Sequence, residues 1–211
     1  MTEDDWLAGR VRKMLRYARS KATMRRRRLL ACGFCRIKWS QLPDDRLKQL
    51  IELIERYADG KSGGGTLVQA YELFGVVKER AVANALDPDM LKALRAAQAS
   101  NEDPPGIAFP QWQDSNLQLA LLRDIFGNPF RPVALDPAWL SWHDGLVVRL
   151  AQATYEERHL PVGTLDSSRL AVLADALEEA GCTSEEILGH LRRSGPHVRG
   201  CWPVDLCLGK S

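Results

Sequence analysis

An all-α fold is what this sequence predicts, on three observations. Apolar residues recur every three or four positions through most of the chain, Asp, Ser or Thr caps and Gly or Pro stops bracket those stretches, and no segment alternates apolar and polar residues along the length of a strand. With 211 residues, 45% of them hydrophobic, the chain can bury one large core or two small ones, which excludes disorder throughout. The expectation is an irregular multi-helix globular domain with long loops and an ordered C-terminal corner.

The elements follow in order. Trp6, Leu7 and Ala8, then Val11, Met14, Leu15 and Ala18, have helical spacing, and Gly9 divides them into a short first helix and a second. Ser20 is placed to cap a third helix, from about Thr23 through Trp39, which Leu42-Pro43 ends. Asp44 or Asp45 caps a fourth, where Leu47, Leu50, Ile51, Ile54 and Tyr57 form one stripe and Asp59-Gly60 closes it. Lys61-Ser62-Gly63-Gly64-Gly65 reads as a flexible boundary. Beyond it, helices are predicted over about 66–86 and from Asp87-Pro88, followed by a long loop over 100–115 holding Pro104-Pro105-Gly106 and Trp112.

Asn116 to Phe126 is predicted as a helix stopped by Gly127-Asn128-Pro129. Asp136-Pro137 opens a short helical turn carrying Trp139 and Trp142, and Leu146 to about Arg158 follows. Asp166 or an adjacent serine caps a helix with Leu170, Leu173, Ala174 and Leu177 on one face. Thr183-Ser184-Glu185-Glu186 has the form of a capping box, with Thr183 as cap, and its helix ends near Ser194-Gly195. The stripes at 44–58, 146–158 and 166–180 are the predicted core. The resulting organisation is a basic helical unit (1–60), a variable helical segment and loop (61–115), and a C-terminal helical unit (116–211) packed with the first as one domain.

Net charge is +2, unevenly spread: residues 1–40 hold twelve Lys or Arg against three acids, and the remainder holds seventeen against twenty-four. The basic segment therefore suits either an acidic partner or the acidic remainder of its own chain. Five cysteines, an odd number at irregular spacing, point to reduced thiols or metal ligands rather than a disulfide framework. No eighteen-residue apolar run is present, and the first residues are acidic where a secretory leader is basic, so no membrane role and a cytoplasmic location are expected.

Gly195-Pro196-His197-Val198-Arg199-Gly200-Cys201-Trp202 is a short Gly- and Pro-bounded corner that concentrates reactive side chains. Together with Leu122-Arg123-Asp124-Ile125-Phe126-Gly127-Asn128-Pro129-Phe130-Arg131-Pro132, the Leu173–Cys182 stretch, and Cys32, Cys35, Arg36 and Trp39 near the start, it resembles a large paralogous family of uncharacterised planctomycete bacterial proteins. The resemblance spans most of the chain except roughly residues 61–115. It implies a cytoplasmic bacterial protein from a lineage-expanded set, which suits an adaptor better than a housekeeping enzyme. The chain departs from the family's usual form at Gly33-Phe34, between the first two cysteines, and at Leu191, where a cysteine often follows the histidine of the last helix.

Cys32 and Cys35 lie three apart on a predicted helix and His197 and Cys201 four apart at the corner, so the two pairs make a candidate Cys₃His zinc site if the fold joins them. Cys182, His190 and Cys207 are spare ligands. The plainer reading keeps Cys32 and Cys35 as small buried hydrophobes and His197 as a hydrogen-bonded corner residue. On either reading the Cys32–Cys35 face is expected to pack near the corner, with Trp202 buried. A third reading sets Cys201 as a thiol nucleophile beside His197, with Asp205 orienting and Arg199 lowering the thiol pKa. Arg25-Arg26-Arg27-Arg28 is the candidate nucleic-acid contact, although four consecutive helical residues turn through more than one face.

Gly60-Lys61-Ser62 and Gly209-Lys210-Ser211 fail as phosphate loops, because Glu55 and Val204 stand where the first glycine belongs. No catalytic residue is assigned, and zinc is the one cofactor with candidate ligands. The leading expectation is a non-enzymatic interaction or adaptor protein with a protein partner. Nucleic-acid binding through the arginine-rich helix, and a zinc-stabilised domain or thiol enzyme using the Cys/His corner, are the alternatives.

Overall fold

The computed structural model describes residues 1–41, 45–61 and 115–210. The expectations placed on 62–114, namely the boundary, two helices and most of the long loop, lie outside the described residues. Those described form an all-α fold: strands are absent among them, and the only β-type pairings are isolated bridges of Thr164 with His159 and Val198. None of these helices is long and apolar enough to cross a membrane. The chain divides into two compact units, Met1–Leu119 and Ala120–Ser211.

In the first unit, α1 (Glu3–Leu7) starts at Thr2, whose hydroxyl accepts from the Asp5 amide while the Asp5 carboxylate accepts from the Thr2 amide, each at 3.3 Å. Helix α2 (Val11–Lys21) buries Met14, Leu15 and Ala18 on one face. Helix α3 (Met24–Ile37) begins at Thr23, whose side chain accepts from the Arg26 amide. Thr23, not Ser20, is thus the cap; the Ser20 hydroxyl donates to the Tyr17 carbonyl within α2. Helix α3 packs on α4 (Asp45–Ala58), and Leu29, Leu30, Leu50, Ile51 and Ile54 are at most 1% exposed. Buried Arg36 grips buried Glu55 through two bonds of 3.0 and 2.9 Å, a fork that neutralises both charges away from water.

The second unit takes in the C-terminal part of α5 (Ser115–Phe126), then α6 (Pro137–Glu156), α7 (Ser167–Glu179), α8 (Glu185–Arg192) and α9 (Trp202–Cys207). Helix α6 is two helical pieces across a kink, with His143, Asp144 and Gly145 all at positive φ, so the division expected between Trp142 and Leu146 is present. Helix α7 packs on both α6 and α8, and α9 packs on α6 and α8. The shared core holds Val147, Ala151, Tyr155, Leu170, Leu173, Leu177, Ile187, Leu191 and Val204. Asp166 caps α7, accepting from the Ser168 and Arg169 amides. Helix α8 starts one residue later than the capping-box pattern places it: Ser184 is the cap and accepts from the Ile187 amide. Position N3 is therefore Ile187, and Glu186 reaches the Ser184 hydroxyl instead of a cap amide.

Candidate metal centre

Three elements bring polar side chains into the interior of the second unit. Asp124 projects from the last turn of α5, between the buried Leu121, Leu122 and Ile125. His190 lies on the buried face of α8 with Ile187 and Leu191. After α8, the 195–201 corner carries His197 inward, and Cys201 closes a turn in which its amide donates to the Val198 carbonyl at 2.9 Å, with Gly200 at φ +92°. A residue with a Cβ adopts that backbone conformation only under strain. The amide of Leu165 donates to the His197 carbonyl at 2.8 Å, tying the corner to the start of α7.

Asp124, His190, His197 and Cys201 each offer one ligand atom, and these four atoms lie within 4.8 Å of one another. Asp124 and Cys201 are fully buried, His197 is 1% exposed and His190 8%. Oδ1 of Asp124 lies 3.1 Å from Nε2 of His190 and 2.7 Å from Nδ1 of His197, while Oδ2 accepts from the Val198 amide at 2.8 Å. The Cys201 sulfur lies 3.4 Å from Nε2 of His190 and 3.7 Å from Nδ1 of His197.

Trp202 and Gly127 frame the cluster. The indole N–H of Trp202 donates to Nδ1 of His190 at 2.9 Å. Its ring lies over Gly127, where a Cβ would come within 3.0 Å of the indole, so the glycine that ends α5 also admits the tryptophan. Trp202 is 9% exposed, in line with the burial expected for it.

Electrostatics suit a cation. Burial raises the Asp124 pKa, but hydrogen bonding with His190 and His197 and the attraction of both rings outweigh it and hold the carboxyl at about 2. Burial lowers the pKa of His190, and Asp124 only partly offsets it. Burial, reinforced by Asp124 and Asp205, pushes the Cys201 thiol well above its usual range. A buried neutral thiol is a poor nucleophile, whereas a metal ion would deprotonate it outright. Oxygen, imidazole and sulfur donors suit zinc, and a tetrahedral ion with bonds of about 2.0–2.3 Å sets its ligand atoms roughly 3.3–3.8 Å apart. The distances from sulfur to nitrogen, 3.4 and 3.7 Å, fall in that interval, and those from Asp124 to the two ring nitrogens, 3.1 and 2.7 Å, fall below it, the shorter being the length of a hydrogen bond.

His197 and Cys201 are therefore brought together, joined by His190, which the sequence offers as a spare ligand, and by Asp124, which the sequence reading did not single out as a ligand. A signal for Asp124 was present: a lone acid among the apolar positions of α5. Cys32 and Cys35 belong to α3 in the first unit, 2% and 0% exposed, with the Cys32 sulfur 4.0 Å from the Ile51 carbonyl. Burial, aided by Glu55, pushes Cys35 up to about 12, so it sits there as a neutral thiol. Cys182 and Cys207 are likewise buried, and burial raises Cys207 to about 12.

In the arginine run, Arg25 pairs with Asp59 at 3.3 Å, Arg27 donates to the Ala22 carbonyl, and Arg28 is buried with its guanidinium 4.8 Å from the centre of the Tyr57 ring. Arg199 lies over the ring of Tyr155, 5.1 Å from its centre, and Asp205 is buried in α9. Comparison with protein-family models, with curated proteins and with solved structures finds no match to this chain.

Proposed function

We propose that the second unit is a zinc-stabilised helical module and that the protein is a non-enzymatic, cytoplasmic adaptor for a protein partner, of the planctomycete kind its motifs resemble. The observation that carries the zinc reading is the convergence of four donor side chains, from α5, α8 and the 195–201 corner, on one buried point. A small helical unit gains from such a staple, because a metal that binds only the folded state adds its binding energy to folding.

The same burial weighs against the thiol-enzyme alternative, which needs an accessible thiolate beside its base. The adaptor reading draws on the surface of the second unit, where an apolar groove of about 210 Å³ between α6 and α7 is lined by Leu150, Ala153 and exposed Val172. Bulk elemental analysis of the purified full chain tests the zinc reading. One zinc per chain, lost in Cys201→Ser and in Asp124→Asn, is expected; a chain purified in the presence of zinc that holds none would overturn it.

A further inference from the structure

The two histidines of the cluster are wired differently, and the wiring separates a ligand from its support. An indole N–H only donates. Because Trp202 donates to Nδ1 of His190 at 2.9 Å, that nitrogen carries the lone pair, and the proton of the neutral ring sits on Nε2. Nε2–H then faces Oδ1 of Asp124 at 3.1 Å and the Cys201 sulfur at 3.4 Å, both acceptors once ionised. His190 offers its neighbours a hydrogen, not a lone pair.

His197 is wired in the opposite sense. Its Nε2 lies 3.2 Å from the Arg193 carbonyl, which only accepts, so Nε2 carries the proton and Nδ1 presents its lone pair to the interior. That lone pair meets Oδ1 of Asp124 at 2.7 Å and the sulfur at 3.7 Å. The Arg193 guanidinium is 3.8 Å from Oδ1, too far to bridge the two atoms, so lone pairs this close need a positive centre between them, a shared proton or a metal ion in its place. Donation of the distal N–H to a carbonyl is also the usual arrangement of a metal-ligating histidine. His197 has it and His190 does not.

Resting on the zinc reading above, we infer that the metal is held by three protein ligands, Asp124 through Oδ1, His197 through Nδ1 and Cys201. His190, fixed by Trp202, is a positioning residue that donates to two of those ligands. The Val198 amide occupies Oδ2 and leaves Oδ1 for the metal. With the His190 lone pair turned away, three of the four clustered side chains supply donor atoms, one fewer than a closed tetrahedral zinc site has.

The test is ¹⁵N NMR of the full chain, labelled at histidine and loaded with ¹¹³Cd. A ¹¹³Cd coupling at Nδ1 of His197, with His190 uncoupled and protonated at Nε2, is expected. Coupling at Nε2 of His190 would overturn the assignment while leaving the metal reading intact. A chain that binds neither zinc nor cadmium overturns both. Variants give an independent readout: His190→Gln should keep one metal per chain with affinity weaker by about 10–100-fold, the usual effect of losing an outer hydrogen-bond partner. His197→Gln should lose stoichiometric binding, and equal loss in the two variants would contradict the assignment.

Discussion

Asp124 gathers the polar interior of the second unit around one carboxylate: two imidazoles and a backbone amide meet it with no water-exposed edge, and the Arg193 guanidinium stands 3.8 Å from Oδ1. In the metal-free chain its folded pKa of about 2 lies below the ordinary 3.8, so the stability it contributes is present above pH 3.8 and is lost as pH falls towards 2. His190 is also lowered, from 6.5, so the unfolded chain takes up its proton first and stability begins to fall as pH drops below 6.5. Both act in the same direction. Urea melts of the chelated protein should therefore show stability decreasing from pH 7 to 5 and again below pH 4; a flat profile would contradict the buried network. Asp124→Asn should cost about 3–5 kcal/mol in the same melts, the range for breaking a buried charged pair.

Helices and the turns between them explain how the cluster is positioned, and they also show where sequence reading stops. Gly127 ends α5 at φ +59° and gives its Cβ space to Trp202. Gly127→Ala should destabilise the unit by about 1–3 kcal/mol, as overpacking does, and alter Trp202 fluorescence. Leu173, fully buried in α7, should cost about 2–5 kcal/mol as Leu173→Ala; a loss below half a unit would say its side chain is not packed. The stripe containing Leu173, the Asp136-Pro137 start and the Trp142–Leu146 division were legible because each depends on neighbours within a turn or two. The choices of Thr23 over Ser20 and Ser184 over Thr183 were not, since adjacent hydroxyls satisfy the same local rule and only backbone geometry selects one. Of the cluster, His197 and Cys201 were legible because they share a corner four residues apart. Asp124 lies 73 residues before His197, a pairing that no local pattern specifies.

At the scale of the whole molecule, part of the basic excess of the first forty residues is spent inside the first unit, where Arg25 meets Asp59 and Arg36 meets Glu55. The second unit has a core of its own and, on the zinc reading, a staple of its own, joining the end of α5 to α8 and the chain's C-terminal corner. Thermal unfolding of the purified full chain, with and without a strong zinc chelator, tests that claim most directly. The chelator should lower Tm, one equivalent of zinc should restore it, and Cys201→Ser should melt low whether or not chelator is present. An unchanged Tm on chelation, in a chain that also takes up no added zinc, would contradict it.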